Sequence, residues 1–187
     1  LFQKQAVLIY EPCSAAQNIQ PQGSIKKSGD LLIPKNKRLR AVEIEVLSSS
    51  AITEVSVYKK PVISIITTGD ELVEAGGVPP VGKRINSNAH LLAALSKETN
   101  AEFIIHPPAP DDFAGIKKAV QNAKDADVII TTGGTAHGGQ DHILKVLQEL
   151  GTVHIDKIAV KPGQHFIFAT LGEKPVLPFR GPPRPVS

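Results

Sequence analysis

Residues able to do chemistry gather in a few short stretches. Thr67-Thr68-Gly69-Asp70-Glu71 ends an apolar run. Glycine there lets the backbone turn sharply or approach a ligand closely. Two adjacent carboxylates could hold Mg²⁺, or a water bound to it, because that ion takes carboxylate oxygens. An ordinary strand-to-loop turn uses the same residue types, and on local sequence alone it accounts for them.

Thr131-Thr132-Gly133-Gly134-Thr135-Ala136-His137-Gly138-Gly139 carries four glycines in nine residues. Free amides in such a loop, ahead of a helix, make an anion site. The spacing is neither the dinucleotide fingerprint nor a P-loop, which would need Gly-Lys-Ser/Thr. A loop without function is the competing reading. Asp111 and Asp141 each stand where a helix cap or a site residue could stand, and a cap is the default for one of Asp111 and Asp112. Lys157 and Lys161 lie four apart in an apolar stretch ending Lys161-Pro162-Gly163. On a strand they share a face, which suits an oxyanion or phosphate, and a solvated edge strand explains them equally well. The six histidines show no metal-ligand spacing; His137 and His142 flank the glycine loop, which is weak evidence on its own.

The elements that must position these residues follow from periodicity. Val62–Thr67, Ala101–His106 and Val128–Thr132 read as buried strands, Val153–Ile158 and His165–Thr170 as further strands, and Pro175–Leu177 as one more. Asn88–Glu98 reads as a helix capped by Asn88. Asp111 and Asp112 open a second, with Phe113, Ile116, Val120 and Ala123 inward, and Asp141–Leu150 is a third, with Ile143, Leu144, Leu147 and Leu150 inward. Strands alternating with helices predict an α/β fold with a parallel or mostly parallel sheet and helices on both faces. In such sheets ligands bind outside the carboxyl ends of the strands, where the polar motifs fall. Residues 61–187 are expected to form this domain. Residues 1–60 differ: short apolar stretches (Ala6–Tyr10, Leu31–Ile33, Val55–Tyr58) alternate with Pro, Gly, Ser and Lys. That predicts a small β-rich segment with one helix over Ala41–Ser49, part of an incomplete neighbouring domain.

Composition bounds the rest. Cys13 is the single cysteine, so no internal disulfide forms, which fits a reducing compartment. No apolar run has the length to cross a bilayer. The first residues lack the features of a signal peptide, and a cytoplasmic location is expected. A net charge of +3 with 4% aromatic residues gives no basic, aromatic-interleaved surface for nucleic acid. The sequence contains no methionine, even at position 1, and reads as part of a longer chain.

Taken singly these motifs are weak, but their order is distinctive. Thr-Gly-Asp-Glu-Leu, then Asn86-Ser87-Asn88, Pro110-Asp111-Asp112, Thr-Gly-Gly, an Asp opening a helix, and Lys157-x-x-x-Lys161-Pro-Gly resembles the molybdopterin-binding fold over residues 61–187. Lys157 to Gly163, with Pro185-Val186-Ser187, Asn18-Ile19, Ser28-Gly29-Asp30 and Ile52 to Pro61, resembles the MoeA and gephyrin molybdotransferases within it. The resemblance implies insertion of molybdate into adenylylated molybdopterin with release of AMP, aided by Mg²⁺. It implies that Glu71, Asp111 and Asp141 serve the metal and adenylate cleavage, with Glu71 and Asp141 as metal ligands. Lys157 and Lys161 would hold molybdate or the pterin phosphate. Gly133, Gly134 and Thr135 would line the pterin site, and Thr68, Gly69, Asp70, Ser87, Asn88, Pro162 and Gly163 join the cofactor-binding positions. The family loop reads Gly-Gly-x-Ser-x-Gly, whereas Ala136 stands in place of its serine here. A homodimer is implied, because in that family a partner subunit completes the site, and a Mog-like adenylyltransferase is a candidate partner. Two other readings stay open: a molybdopterin-binding module without chemistry, and a Mog-like adenylyltransferase or CinA-like nucleotide hydrolase of the same fold.

Overall fold

A computed structural model describes residues 10–12, 14–133, 141–159 and 166–179. The chain divides into two compact units, Leu1–Val57 and Tyr58–Ser187. The first unit holds helix α1 (Ala41–Ser49), over the residues expected. Its start is fixed by Glu43, whose carboxylate accepts from the Arg40 backbone N–H at 2.9 Å and pairs with the Arg40 guanidinium at 3.0 Å. The expected strands at Leu31–Ile33 and Val55–Tyr58 are not formed; both stretches are turns or extended chain. A strand exists only through a paired ladder, and no such ladder forms among the described residues of this unit. Ala6–Ile9 lie outside them.

The second unit is built on six strands: β1 (Val62–Thr67), β4 (Glu102–Ile105), β5 (Val128–Thr132), β6 (Thr152–Ile155), β7 (Phe168–Leu171) and β8 (Lys174–Phe179). Their order is β4-β1-β5-β8-β7-β6. β4, β1, β5 and β8 run parallel, while β7 is antiparallel to both β8 and β6. The sheet is thus mostly parallel, as its β-branched runs predict. Two short strands, β2 (Leu72–Val73) and β3 (Arg84–Ile85), form a separate parallel pair.

Helices cover both faces. Ile65 and Ile66 are fully buried neighbours on β1 and point to opposite sides. Ile65 packs with Ala89 and Ala93 of α2 (Ser87–Glu98). Ile66 joins Ile129, Ile116 and Val120 of α3 (Phe113–Asn122), and Ile143, Val146 and Leu147 of α4 (His142–Leu150). Each fully buried aliphatic side chain contributes about 1.5–3 kcal/mol, so these stripes hold the two layers on the sheet. The inward residues foreseen on α3 and α4 are buried or partly buried; Val146, fully buried, belongs with them. No helix among the described residues is long and apolar enough to cross a membrane.

Candidate functional site

The chain leaves β1 for β4 on one side and returns past it to β5 on the other. The carboxyl ends of β1 and β5 therefore flank a topological switch point, the crevice where open α/β sheets bind ligands. The two exits are stitched tightly. The Thr68 N–H donates to Thr132 O at 2.9 Å and the Gly69 N–H to Ala109 O at 3.1 Å. Gly133 has φ +97°, and a Cβ there would lie 2.2 Å from Thr68 O. Only glycine fits both the backbone angle and that approach. At Gly69, with φ +149°, a Cβ would lie 2.7 Å from Glu71 Oε2, because the Glu71 side chain folds back over it.

On the α2 side the rim is fully paired. Asn86, 1% exposed, caps α2 by accepting from the Ala89 N–H, and its amide donates to Thr67 Oγ1 at 2.9 Å. Asn88 donates to Thr132 Oγ1 at 3.0 Å. Asn86, rather than the expected Asn88, is therefore the cap; Asn88 is spent on tying α2 to the end of β5. Ser87 is the first residue of α2. β3 holds the loop after β1: the Arg84 N–H donates to Glu71 O at 2.8 Å and Lys83 Nζ to Asp70 O at 2.7 Å.

On the α3 and α4 side stands an acidic corner. Asp112 caps α3 through the Gly115 N–H at 2.6 Å, and Asp141 caps α4 through the Leu144 N–H at 3.2 Å. Asp111 is thereby left uncommitted. Its N–H faces Asp70 Oδ1 at 3.4 Å, and its own Oδ1 is buried with no partner among the described residues. Burial pushes the Asp111 carboxyl above its usual range, the Asp70, Glu71 and Asp112 charges add to the rise, and His142 opposes it. Among the described residues, three further buried polar atoms lack partners: Thr68 Oγ1, Thr131 Oγ1 and His142 Nδ1. Each costs about 1–3 kcal/mol unless something pairs with it. A carboxylate oxygen left open near the charges of Asp70, Glu71 and Asp112 fits a hard cation. Among the described residues no group of three or more His, Cys, Asp or Glu is arranged to hold a metal ion. Mg²⁺ is content with one or two carboxylates, its remaining positions going to water and phosphate oxygens.

Thr68, Gly69, Asp70, Glu71, Asn88, Asp111, Gly133 and Asp141 thus lie along one rim, with Ser87 at the head of α2. Lys157 does not share the acidic corner. The expected strand over Val153–Ile158 stops at Ile155 after a register shift, so Lys157 stands beyond it, exposed, and the same-face argument for a strand lysine fails. Its edge of the sheet is the right one, because β6 runs the same way as β8. It is four strand spacings from β1, about 19 Å. Gly134, Thr135, Lys161, Pro162 and Gly163 lie outside the described residues. Thr131, Lys83 and His142 also stand at this rim, although the sequence motifs assign none of them to the site. For His142, its place directly after a capping aspartate is the available signal.

Comparison with known proteins fits this geometry. Residues 64–186 match a family described as a probable molybdopterin binding domain. The chain is 33% identical over 159 residues to a molybdopterin molybdenumtransferase of Nostoc sp., covering 84% of this chain and 36% of the relative. A Haemophilus influenzae protein of the same name is 35% identical over 156 residues, covering 83% and 39%. Among solved structures, the molybdopterin biosynthesis MoeA protein from Pyrococcus horikosii superposes with a TM-score of 0.79 at 30% identity, covering 92% of this chain and 43% of that one. The chain spans well under half the length of these relatives. With its α/β unit matched almost from end to end, the chain belongs to the molybdopterin-binding domain family of molybdenum cofactor biosynthesis.

Proposed function

We propose that this chain carries the core that inserts molybdate into adenylylated molybdopterin and releases AMP. The observation that carries the reading is the convergence, at the switch point of a chain of this family, of Thr68 to Glu71, Asp111, Gly133 and Asp141. Phosphoanhydride and oxyanion ligands need positive potential and amide donors. The N-terminus of α4 supplies both, and Gly133 lets the chain approach closely. A Mg²⁺ held by Glu71 and Asp141 would neutralise charge on the cleaved anhydride. Asp141 already spends one oxygen on its cap, so its other oxygen would serve. Asp111 would hold the reacting group, Thr68, Gly69, Asp70, Ser87 and Asn88 would border the pterin, and Lys157 would meet the outer phosphate or molybdate. Residues 61–187 form the binding domain on this reading, and residues 1–60 belong to a neighbouring one. The protein works in the cytoplasm as a homodimer and accepts its substrate from a Mog-like adenylyltransferase.

The test is molybdate-dependent AMP release, comparing the unaltered chain with Glu71→Ala and Asp141→Asn. Both variants should lose turnover by about 100-fold while keeping the native circular dichroism spectrum. Unchanged release in both removes the metal assignment. One sequence feature favours a second reading: Ala136 stands where the family loop carries a serine. As a binding module the chain would retain molybdopterin without releasing AMP, and the same assay separates the two.

A further inference from the structure

Among the described residues, four buried polar atoms without partners lie on one side of the rim: Thr68 Oγ1, Thr131 Oγ1, Asp111 Oδ1 and His142 Nδ1. Thr68 is 5% exposed and Thr131 1%, so neither hydroxyl finds bulk water. Both face the α3 and α4 layer, since each lies two residues beyond a core residue of that face, Ile66 and Ile129. Asp111 directly precedes the cap of α3, and His142 is the first residue of α4. The two helices pack side by side with their N-termini at the same rim. The cap on α4 takes the Leu144 N–H; the first-turn amides of any helix lack intrahelical acceptors. Folding rarely leaves so many buried groups unpaired in one place unless a ligand pairs them.

We infer that His142 grips the ligand together with Asp111: His142 Nδ1 and Asp111 Oδ1 hold one oxygen between them, with the Thr68 and Thr131 hydroxyls closing the cradle. That oxygen donates its proton to the carboxylate and accepts from the imidazole N–H, which requires the tautomer protonated at Nδ1. A water and a ligand hydroxyl share this chemistry. The inference deepens the proposed function and rests on it for the identity of the ligand. It adds a residue that the sequence motifs did not assign.

The experiment has two parts. Thermal unfolding of the free chain is followed for His142→Leu, which removes an unpaired buried nitrogen. Its Tm should rise by about 2–4 °C; a fall or no change means that His142 is already satisfied by the fold, and the inference is overturned. Calorimetric titration with AMP then compares His142→Leu with His142→Asn, whose amide stands near the position of Nδ1. The leucine variant should bind at least about tenfold more weakly and the asparagine variant within about threefold of the unaltered chain. Equal losses in both overturn the inference. Titration with 2′,3′-dideoxy-AMP distinguishes the sources. If a ribose hydroxyl is held, the penalty of His142→Leu vanishes with the dideoxy probe; if a water is held, it persists. A chain that binds no AMP while its leucine variant gains Tm refutes the proposed function and leaves the unpaired pair standing.

Discussion

A Thr-Thr dipeptide closes β5 and straddles the end of β1, and its two members meet opposite fates. Thr67 and Thr132 face α2, where Asn86 and Asn88 pair with their hydroxyls at 2.9 and 3.0 Å. Thr68 and Thr131, one residue away and on the other face, are as deeply buried, and their hydroxyls have no partner among the described residues. The same residue type at the same rim therefore serves the fold on one side and stays available on the other. Pairing marks the structural half, and unpaired burial marks the half kept for a ligand.

The comparison can be broken by substitution, from the largest effect downward. Gly133→Ala must move the β1 exit as well as strain its own backbone. It should cost on the order of 3 kcal/mol in urea unfolding and abolish ligand binding. Asn86→Ala removes a cap and strands the Thr67 hydroxyl, for a loss of about 2–3 kcal/mol. The sharpest contrast is between two valines. Thr67→Val should destabilise by about 1–2 kcal/mol by leaving the Asn86 amide unpaired, whereas Thr68→Val should be neutral or stabilising by about 1 kcal/mol. Equal losses would erase the distinction between the two sides. The smallest effect is one of pH. The Asp111 carboxyl, raised by burial above its ordinary 3.8, keeps its proton in the folded chain where the unfolded chain has released it. Stability is therefore lost as pH rises through the window just above 3.8, and Asp111→Asn should remove that part of the pH profile.

Much of this was legible beforehand. The β-branched run at Val62–Thr67 and the inward stripe Ile116, Val120, Ala123 needed only periodicity, because each element buries a whole face. The cap of α2 was misplaced by two residues, since Asn86 and Asn88 are equally good cap residues and only the tertiary partners Thr67 and Thr132 tell them apart. Val153–Ile158 has the composition of one strand, but β6 pairs antiparallel at the sheet edge and its register shift ends it at Ile155, so Lys157 lies beyond the strand rather than on its face. Val55–Tyr58 has strand composition without a strand to pair with. His142 stands directly after a capping aspartate, but the burial of its Nδ1 depends on tertiary packing that no local pattern shows.

The most direct measurement is a map of backbone amide shifts during titration with AMP. The largest changes are expected at Thr68 to Glu71, Asp111, Gly133 and Asp141-His142, with small ones at Asn86 and Asn88. Changes centred instead on the opposite edge of the sheet, around Ala101 and Asp127, would contradict this placement of the site.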